Sequence, residues 1–200
     1  VRALDGLRRA MDDPPPGGTP ATDTELWNRA AEGDESSFAE LFQRHAEAVW
    51  NHAYRLTGSW AAAEDLTSSA FLTAWRKCGE LRLVHDSARP WLYAVAGNLA
   101  RTHARGERRR LRLLHRVPRA DVQGDHADDV TDRLTGEDRV RQVLAAVRRL
   151  PNAERRAAEL CLLGELTAAE AAAVLDLAES SVRSQISRAR SRLRTMLEES

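Results

Sequence analysis

Apolar side chains recur every three or four residues along most of this chain, and the recurrence predicts helices. Phe38, Leu41, Phe42, His45, Val49 and His52 share one face of a helix that starts near Glu35 and is broken at Gly58-Ser59. A second stripe, Leu66, Ala70, Phe71, Ala74 and Trp75, predicts a helix from about Trp60 to Cys78. Residues 79–90, GELRLVHDSARP, lose the period and read as a loop. Pro90 then stands where a helix can begin, because its missing N–H would be unpaired there anyway, and a third helix runs through WLYAVAGNLARTHARGERRR. Ahead of these, Asp23 reads as the N-cap of ELWNRAAEG, with Gly33 as the stop. Further on, Val140, Val143, Leu144, Val147 and Leu150 mark one helix, and Pro151 opens another that ends near Gly164. Thr167 with Glu170 three residues later has the form of a capping box for AAEAAAVLDL. A long helix from about Ser180 to Leu197 closes the chain. No alternation of period two is found, so the expected fold is all-α.

Two stretches interrupt the pattern. Residues 11–22, MDDPPPGGTPAT, hold four prolines and two glycines and cannot form a packed element. Residues 117–137 hold Pro118, Gly124, Gly136 and six acids with no periodic apolar residue. The expected organisation is therefore a disordered tail (1–22), a helical domain (23–116), a flexible acidic linker (117–137) and a second helical domain (138–200).

The last two helices have the layout of a helix-turn-helix: a short Ala-rich helix, a break, then a longer Arg-rich helix. On a wheel, Val182, Ile186, Ala189 and Leu193 fall in a narrow arc, opposite Arg183, Ser184, Ser187, Arg188, Ser191 and Arg194. One face can pack while the other offers donors, which suits guanine edges and phosphates. The plain alternative is a helical bundle with a solvated basic face. The short capped helix beside an acid-free donor face tips the reading toward DNA.

Composition narrows the function. Alanine, leucine and arginine dominate, and Lys77 is the single lysine among 30 basic residues. The net charge is zero, but residues 80–116 carry +6 between segments of −4 on either side. A neutral chain with separated basic patches can bind a polyanion locally. Cys78 and Cys161 are far apart, and the six histidines have no ligand spacing, so no metal or other cofactor is expected. No stretch has the roughly 18 apolar residues a membrane span needs, and a cytoplasmic location is expected.

Three segments resemble a known family. LPNAERRAAELCLLGELTAAEAAAVLDLAESSVRSQISRARSRL is similar to the DNA-binding domain of extracytoplasmic-function (ECF) RNA polymerase sigma factors, through Leu150-Pro151, Thr167 to Ala172, Val182-Arg183-Ser184 and Arg188-Ala189-Arg190. AEDLTSSAFLTAW resembles the family's polymerase-binding helix, and RPWLYAVAGNLARTHARGERRR its promoter-melting helix. Together they cover about residues 24–197. Ser68-Ser69 stand where the family has Gln and an acid, Asp176 and Ser180 where it has glycines, and Ser187 where an aromatic or His is common.

The resemblance implies a sigma factor that binds core RNA polymerase and directs promoter recognition, strand opening and initiation. It assigns Asp65, Leu66, Phe71 and Trp75 to polymerase, Asn98, Arg101 and Arg105 to the melted strand, and Arg183, Ser184, Ser187 and Arg188 to the upstream promoter element. For Leu66, Phe71 and Trp75, core packing is an equally good reading. Trp91 reads as a buried anchor before it reads as a base-stacking residue. An anti-sigma factor is a common partner in the family.

Two other functions compete. A helix-turn-helix regulator acting without polymerase would dimerise on a palindrome, and residues 62–110 would then have no use. A helical enzyme is disfavoured by the absence of a nucleophile elbow, phosphate loop or zinc signature.

Overall fold

The computed structural model describes residues 21–84, 86–114 and 136–199. All but the last two residues of the expected tail, and all but the last two of the expected linker, lie outside them. Among the described residues there are eight α-helices and no strand. They are α1 (Asp23–Ala31), α2 (Glu35–Thr57), α3 (Trp60–Lys77), α4 (Arg89–Leu114), α5 (Gly136–Arg149), α6 (Asn152–Ala158), α7 (Ala168–Leu175) and α8 (Glu179–Glu198). A π-helical turn, Glu159–Leu163, extends α6.

The ends of these helices follow local chemistry, with one change from the sequence reading. Thr22, not Asp23, caps α1: its hydroxyl accepts from the Glu25 N–H while the Glu25 carboxylate accepts from the Thr22 N–H. Asp23 is thereby moved into the first turn and buried. Asp34 caps α2 through the N–H groups of Ser36 and Ser37. Gly58 ends α2 in the left-handed region (φ 68°), where a Cβ is costly, and Ser59 caps α3 at once. Thr167 and Glu170 form the expected capping box on α7. Asp176 takes the left-handed position (φ 54°) that ends α7, a geometry Asp tolerates better than most residues. Helix α5 starts at Gly136, within the stretch read as linker.

Helices α1 to α4 form the first unit. Leu26, Trp27, Leu41, Val49 and Leu92 are almost completely buried in it. Each contributes about 1.5–3 kcal/mol of burial free energy. Phe38, Phe42, Phe71 and Trp75 pack edge to face, with ring centroids 4.7–6.3 Å apart. The second unit, α5 to α8, buries Leu144, Val147, Leu150, Ala158, Val182 and Ala189.

The two units are not separate in this structure. Tyr93, Leu160, Leu166, Ala171 and Leu175 belong to the same apolar cluster as Trp27 and Leu41. The π-helical turn and α7 of the second unit lie against α2 and α4 of the first. Gly164 makes this possible: a Cβ there would stand 2.9 Å from Tyr93 Cδ2 and 3.2 Å from His52 Cε1.

Candidate polymerase and DNA interfaces

Helix α3 divides the four residues assigned to polymerase. Leu66 and Phe71 are buried in the core and Trp75 is half-buried, its ring edge-on to Phe38 at 5.0 Å. Only Asp65 is exposed. Leu66 and Phe71 face inward, as the core-packing reading has it, because the apolar stripe that marks them is the stripe the core uses. The outward row is Asp65, Ser69, Leu72 and Arg76, spaced by four, three and four residues, of which Leu72 stays 50% exposed. Sequence reasoning did not single out Leu72. Its signal was an apolar residue off the stripe, one row from Asp65.

Helix α4 carries Asn98, Arg101 and Arg105 along one side. Asn98 and Arg105 are exposed, and Arg105 donates to Thr102 Oγ1 at 3.3 Å. Arg101 is different. Its guanidinium donates to Glu159 on the second unit and to Asn98 Oδ1, and its side chain is 17% exposed. Burial holds its pKa below the ordinary arginine value, with the neighbouring Arg156 and Arg155 adding to the shift and the charge of Glu159 offsetting only part of it. Burial likewise pushes the Glu159 carboxyl up, against the pull of Arg101 and Arg155. In this arrangement Arg101 is therefore occupied by protein.

The loop before α4 is fastened at both ends. The Trp27 indole donates to the Leu81 carbonyl at 3.0 Å, and Asp23 Oδ2 accepts from the Ala88 N–H at 2.8 Å. Between these ties Val84 is 72% exposed. Trp91 is half-buried and packs edge-on to Trp27 at 5.4 Å, an anchor as expected.

Helix α8 separates its faces as the wheel requires. Val182 and Ala189 are buried, Ile186 and Leu193 partly so, and Gln185 joins them. Arg183, Ser184, Ser187 and Arg188 are all exposed. Arg183 pairs with Glu179 at 2.5 Å within the helix. The Arg188 Nε lies 3.7 Å from the buried Glu154 carboxylate on α6, and the Arg192 Nε 3.0 Å from it. Glu154, which sequence reasoning did not single out, thus holds two arginines of α8 from below. Another feature it missed is the aromatic group Trp50, Tyr54 and Trp60, of which Trp60 is 64% exposed.

The family model described as Sigma-70 region 2 matches residues 41–110, and that described as Sigma-70, region 4 matches residues 140–193. The chain is 31% identical over 181 residues to the ECF RNA polymerase sigma factor SigL of Mycobacterium tuberculosis, covering 85% of this chain and 94% of that one. It belongs to the ECF RNA polymerase sigma factors. A second ECF sigma factor, BldN of Streptomyces coelicolor, is 30% identical over 161 residues, and there the match spans 80% of this chain but 60% of the relative. Among solved structures, CnrH in complex with the cytosolic domain of CnrY aligns with TM-score 0.59 at 24% identity, covering 88% of this chain and 97% of that one. The sigma factor RpoE of Bartonella quintana, in complex with the anti-sigma factor NepR, aligns with TM-score 0.54 at 23% identity over 80% of this chain and 96% of that one. Both support the all-helical fold.

The two matched regions fall on the two helical units in chain order. Region 2 covers most of α2, all of α3 and the greater part of α4, and region 4 runs from α5 into α8. A regulator acting without polymerase is not favoured, since it would leave the region 2 match without a role. Among the described residues no helix is long and apolar enough to cross a membrane, and no group of three or more His, Cys, Asp and Glu residues is placed to hold a metal ion. Cys78 and Cys161 are free thiols.

Proposed function

We propose that this sigma factor docks on core RNA polymerase through the outward row of α3, reads the upstream promoter element with α8 and holds the melted strand along α4. The observation that carries the reading is that both sigma regions match, in order, helical units that keep a polar donor face in solvent. On α8 that face is Arg183, Ser184, Ser187 and Arg188, able to meet base edges and phosphates. On α4 it is Asn98 and Arg105, joined by Arg101 once Arg101 leaves Glu159. On α3, Asp65 and Leu72 offer a charge beside an apolar contact, the combination that makes a small interface specific. Trp75 supports this surface from below.

In this reading the packed arrangement is the resting form. Two promoter elements are engaged at once only when the units part, and joining them in one chain then raises apparent affinity through effective concentration. The protein acts by binding alone, with no turnover of its own, in the cytoplasm where polymerase is. Two of the solved relatives are held by the partners named above, and an anti-sigma factor is proposed here too, as a protein that stabilises a form in which these faces are covered.

The test is run-off transcription with purified core polymerase and a genomic template library. Discrete start sites that appear only when this chain is added are expected. Their absence, with the chain folded and core polymerase active on a control sigma factor, would overturn the proposal.

A further inference from the structure

The packing of the two units creates a cleft that neither has alone. It has a volume of about 330 Å³ and is walled by the end of α2, the start of α3, the middle of α4, and α5 and α6 with its π-helical turn. Arg101 and Arg105 enter from the first unit, Arg148 and Arg155 from the second. Among the described residues the one carboxylate in the wall is Glu159, and it is shared, by Arg101 directly and by Arg155 Nε at 3.8 Å. The remaining polar contacts go to neutral acceptors: Arg148 to the Thr57 carbonyl, Arg155 to the Arg148 carbonyl and Asn152 Oδ1, Arg105 to Thr102 Oγ1. Among the described residues four guanidinium groups therefore face one anion. The Nε of Arg155 is buried without a hydrogen-bond partner. The N-terminal turn of α3, beginning at Ser59, adds its partial positive charge to the same wall.

Closing the two units brings like charges together, a cost that grows as solvent is excluded. An anion seated between them would reverse the sign of that term. The opening suits more than a single small ion, and arginines from opposite walls fit a group with oxygens on two phosphorus centres, each able to accept paired guanidinium N–H bonds. We propose that this cleft is a binding site for a pyrophosphate group, free or carried by a nucleotide, which bridges the two units and holds them together. No contact of the polymerase row or the α8 donor face is involved. On the function proposed above, occupancy would keep Arg101 away from DNA.

The test is calorimetric titration of the full chain with sodium pyrophosphate, with ATP, and with sodium sulfate at matched ionic strength, followed by thermal unfolding of each mixture. Saturable binding of pyrophosphate well ahead of sulfate is expected, with a rise in unfolding temperature, since a ligand that binds only the folded form stabilises it. ATP binding more tightly than pyrophosphate would identify a nucleotide as the source, and equal or weaker binding the free anion. Arg105→Ala, which among the described residues loses only a bond to Thr102 in its own helix, should weaken binding about tenfold, the loss expected for one charge-assisted hydrogen bond. Arg148→Ala should weaken it similarly, and Arg29→Ala, exposed on α1, should leave it unchanged. Sulfate binding as well as pyrophosphate would overturn the site, and so would both cleft variants binding like the parent. Binding of a single-stranded oligonucleotide but not of pyrophosphate would also overturn it and assign the cleft to the DNA path. Neither polymerase nor promoter enters the assay, so its failure is separate from failure of the sigma reading.

Discussion

Asp23 ties three segments together with one carboxylate. His45 Nε2 lies 2.5 Å from it, Arg44 donates at 3.2 Å and the Ala88 N–H at 2.8 Å, so α1, α2 and the start of α4 meet there. Burial pushes this carboxyl up, but the hydrogen bonds from His45 and Ala88, the charge of His45 and the bond from Arg44 outweigh it and hold the pKa at about 2. His52 is the opposite case. It lies stacked on Tyr93 at 4.2 Å, with both ring nitrogens buried and unpaired. Burial first, then the nearby Arg55 charge, drives its pKa down to about 4. Both shifts favour the folded state at neutral pH and lose that advantage in acid, in different windows. Between pH 6.5 and about 4 the unfolded chain takes up a proton at His52 that the folded chain refuses, so stability falls there. Asp23 adds its own loss between about 3.8 and 2. Urea unfolding at pH 7 and pH 5 should show a drop for the parent that is smaller in His52→Leu. Equal drops in the two proteins would show that His52 does not report on this range.

At the scale of helices, most of the fold was legible because local chemistry decides it. The Gly58-Ser59 break, the Thr167–Glu170 capping box and the donor face of α8 all depend on residues within a turn or two of each other. What the sequence left open was which of two readings, core packing or polymerase contact, applied to the apolar stripe of α3. Leu66 and Phe71 were visible as a stripe, but a stripe marks the side that is buried, and the row left in solvent on α3, which we propose as the contact side, contains Leu72. Leu72→Asp should therefore abolish co-purification with core polymerase while leaving the unfolding temperature near the parent value, because half of the side chain is already in water. A lower unfolding temperature with polymerase binding intact would reverse that assignment. On α8, Arg183→Ala should cost about 1–3 kcal/mol of promoter affinity and relax preference at one base position if it reaches a guanine edge. If it reaches only phosphate, all sequences should weaken alike and the salt slope should fall by about one. Arg188→Ala adds a second effect, since it removes one of the two arginines that compensate the buried Glu154. Val182→Ala, fully buried, is the contrast: it should cost about 1.5–3 kcal/mol of fold stability through lost burial. Unchanged affinity and unchanged base preference in both arginine variants would remove this face from the DNA reading.

Across the whole molecule, the contacts the sequence could not announce are those between its halves. Arg101 and Glu159 are 58 residues apart, Arg55 and Glu165 110 apart, and no period or cap links them. Each looks like an ordinary surface charge until the fold places it. Gly164 is the most economical probe of this packing. An added Cβ would lie 2.6 Å from the Leu160 carbonyl oxygen as well as against Tyr93 and His52, so backbone or ring must move. Overpacking of this kind costs about 1–3 kcal/mol. Part of that cost is avoidable: if the second unit leaves α2 and α4, Tyr93 and His52 no longer press on residue 164, while the contact with the Leu160 carbonyl, inside the second unit, remains in either form. Gly164→Ala should therefore shift the chain toward a parted form. Small-angle X-ray scattering should give a larger radius of gyration than the parent, with helix content by circular dichroism unchanged. Arg101 would then be released from Glu159, so at limiting core polymerase the variant should form promoter complexes at a lower concentration than the parent. An unchanged radius together with unchanged promoter-complex formation would show that the packed arrangement does not restrain the protein.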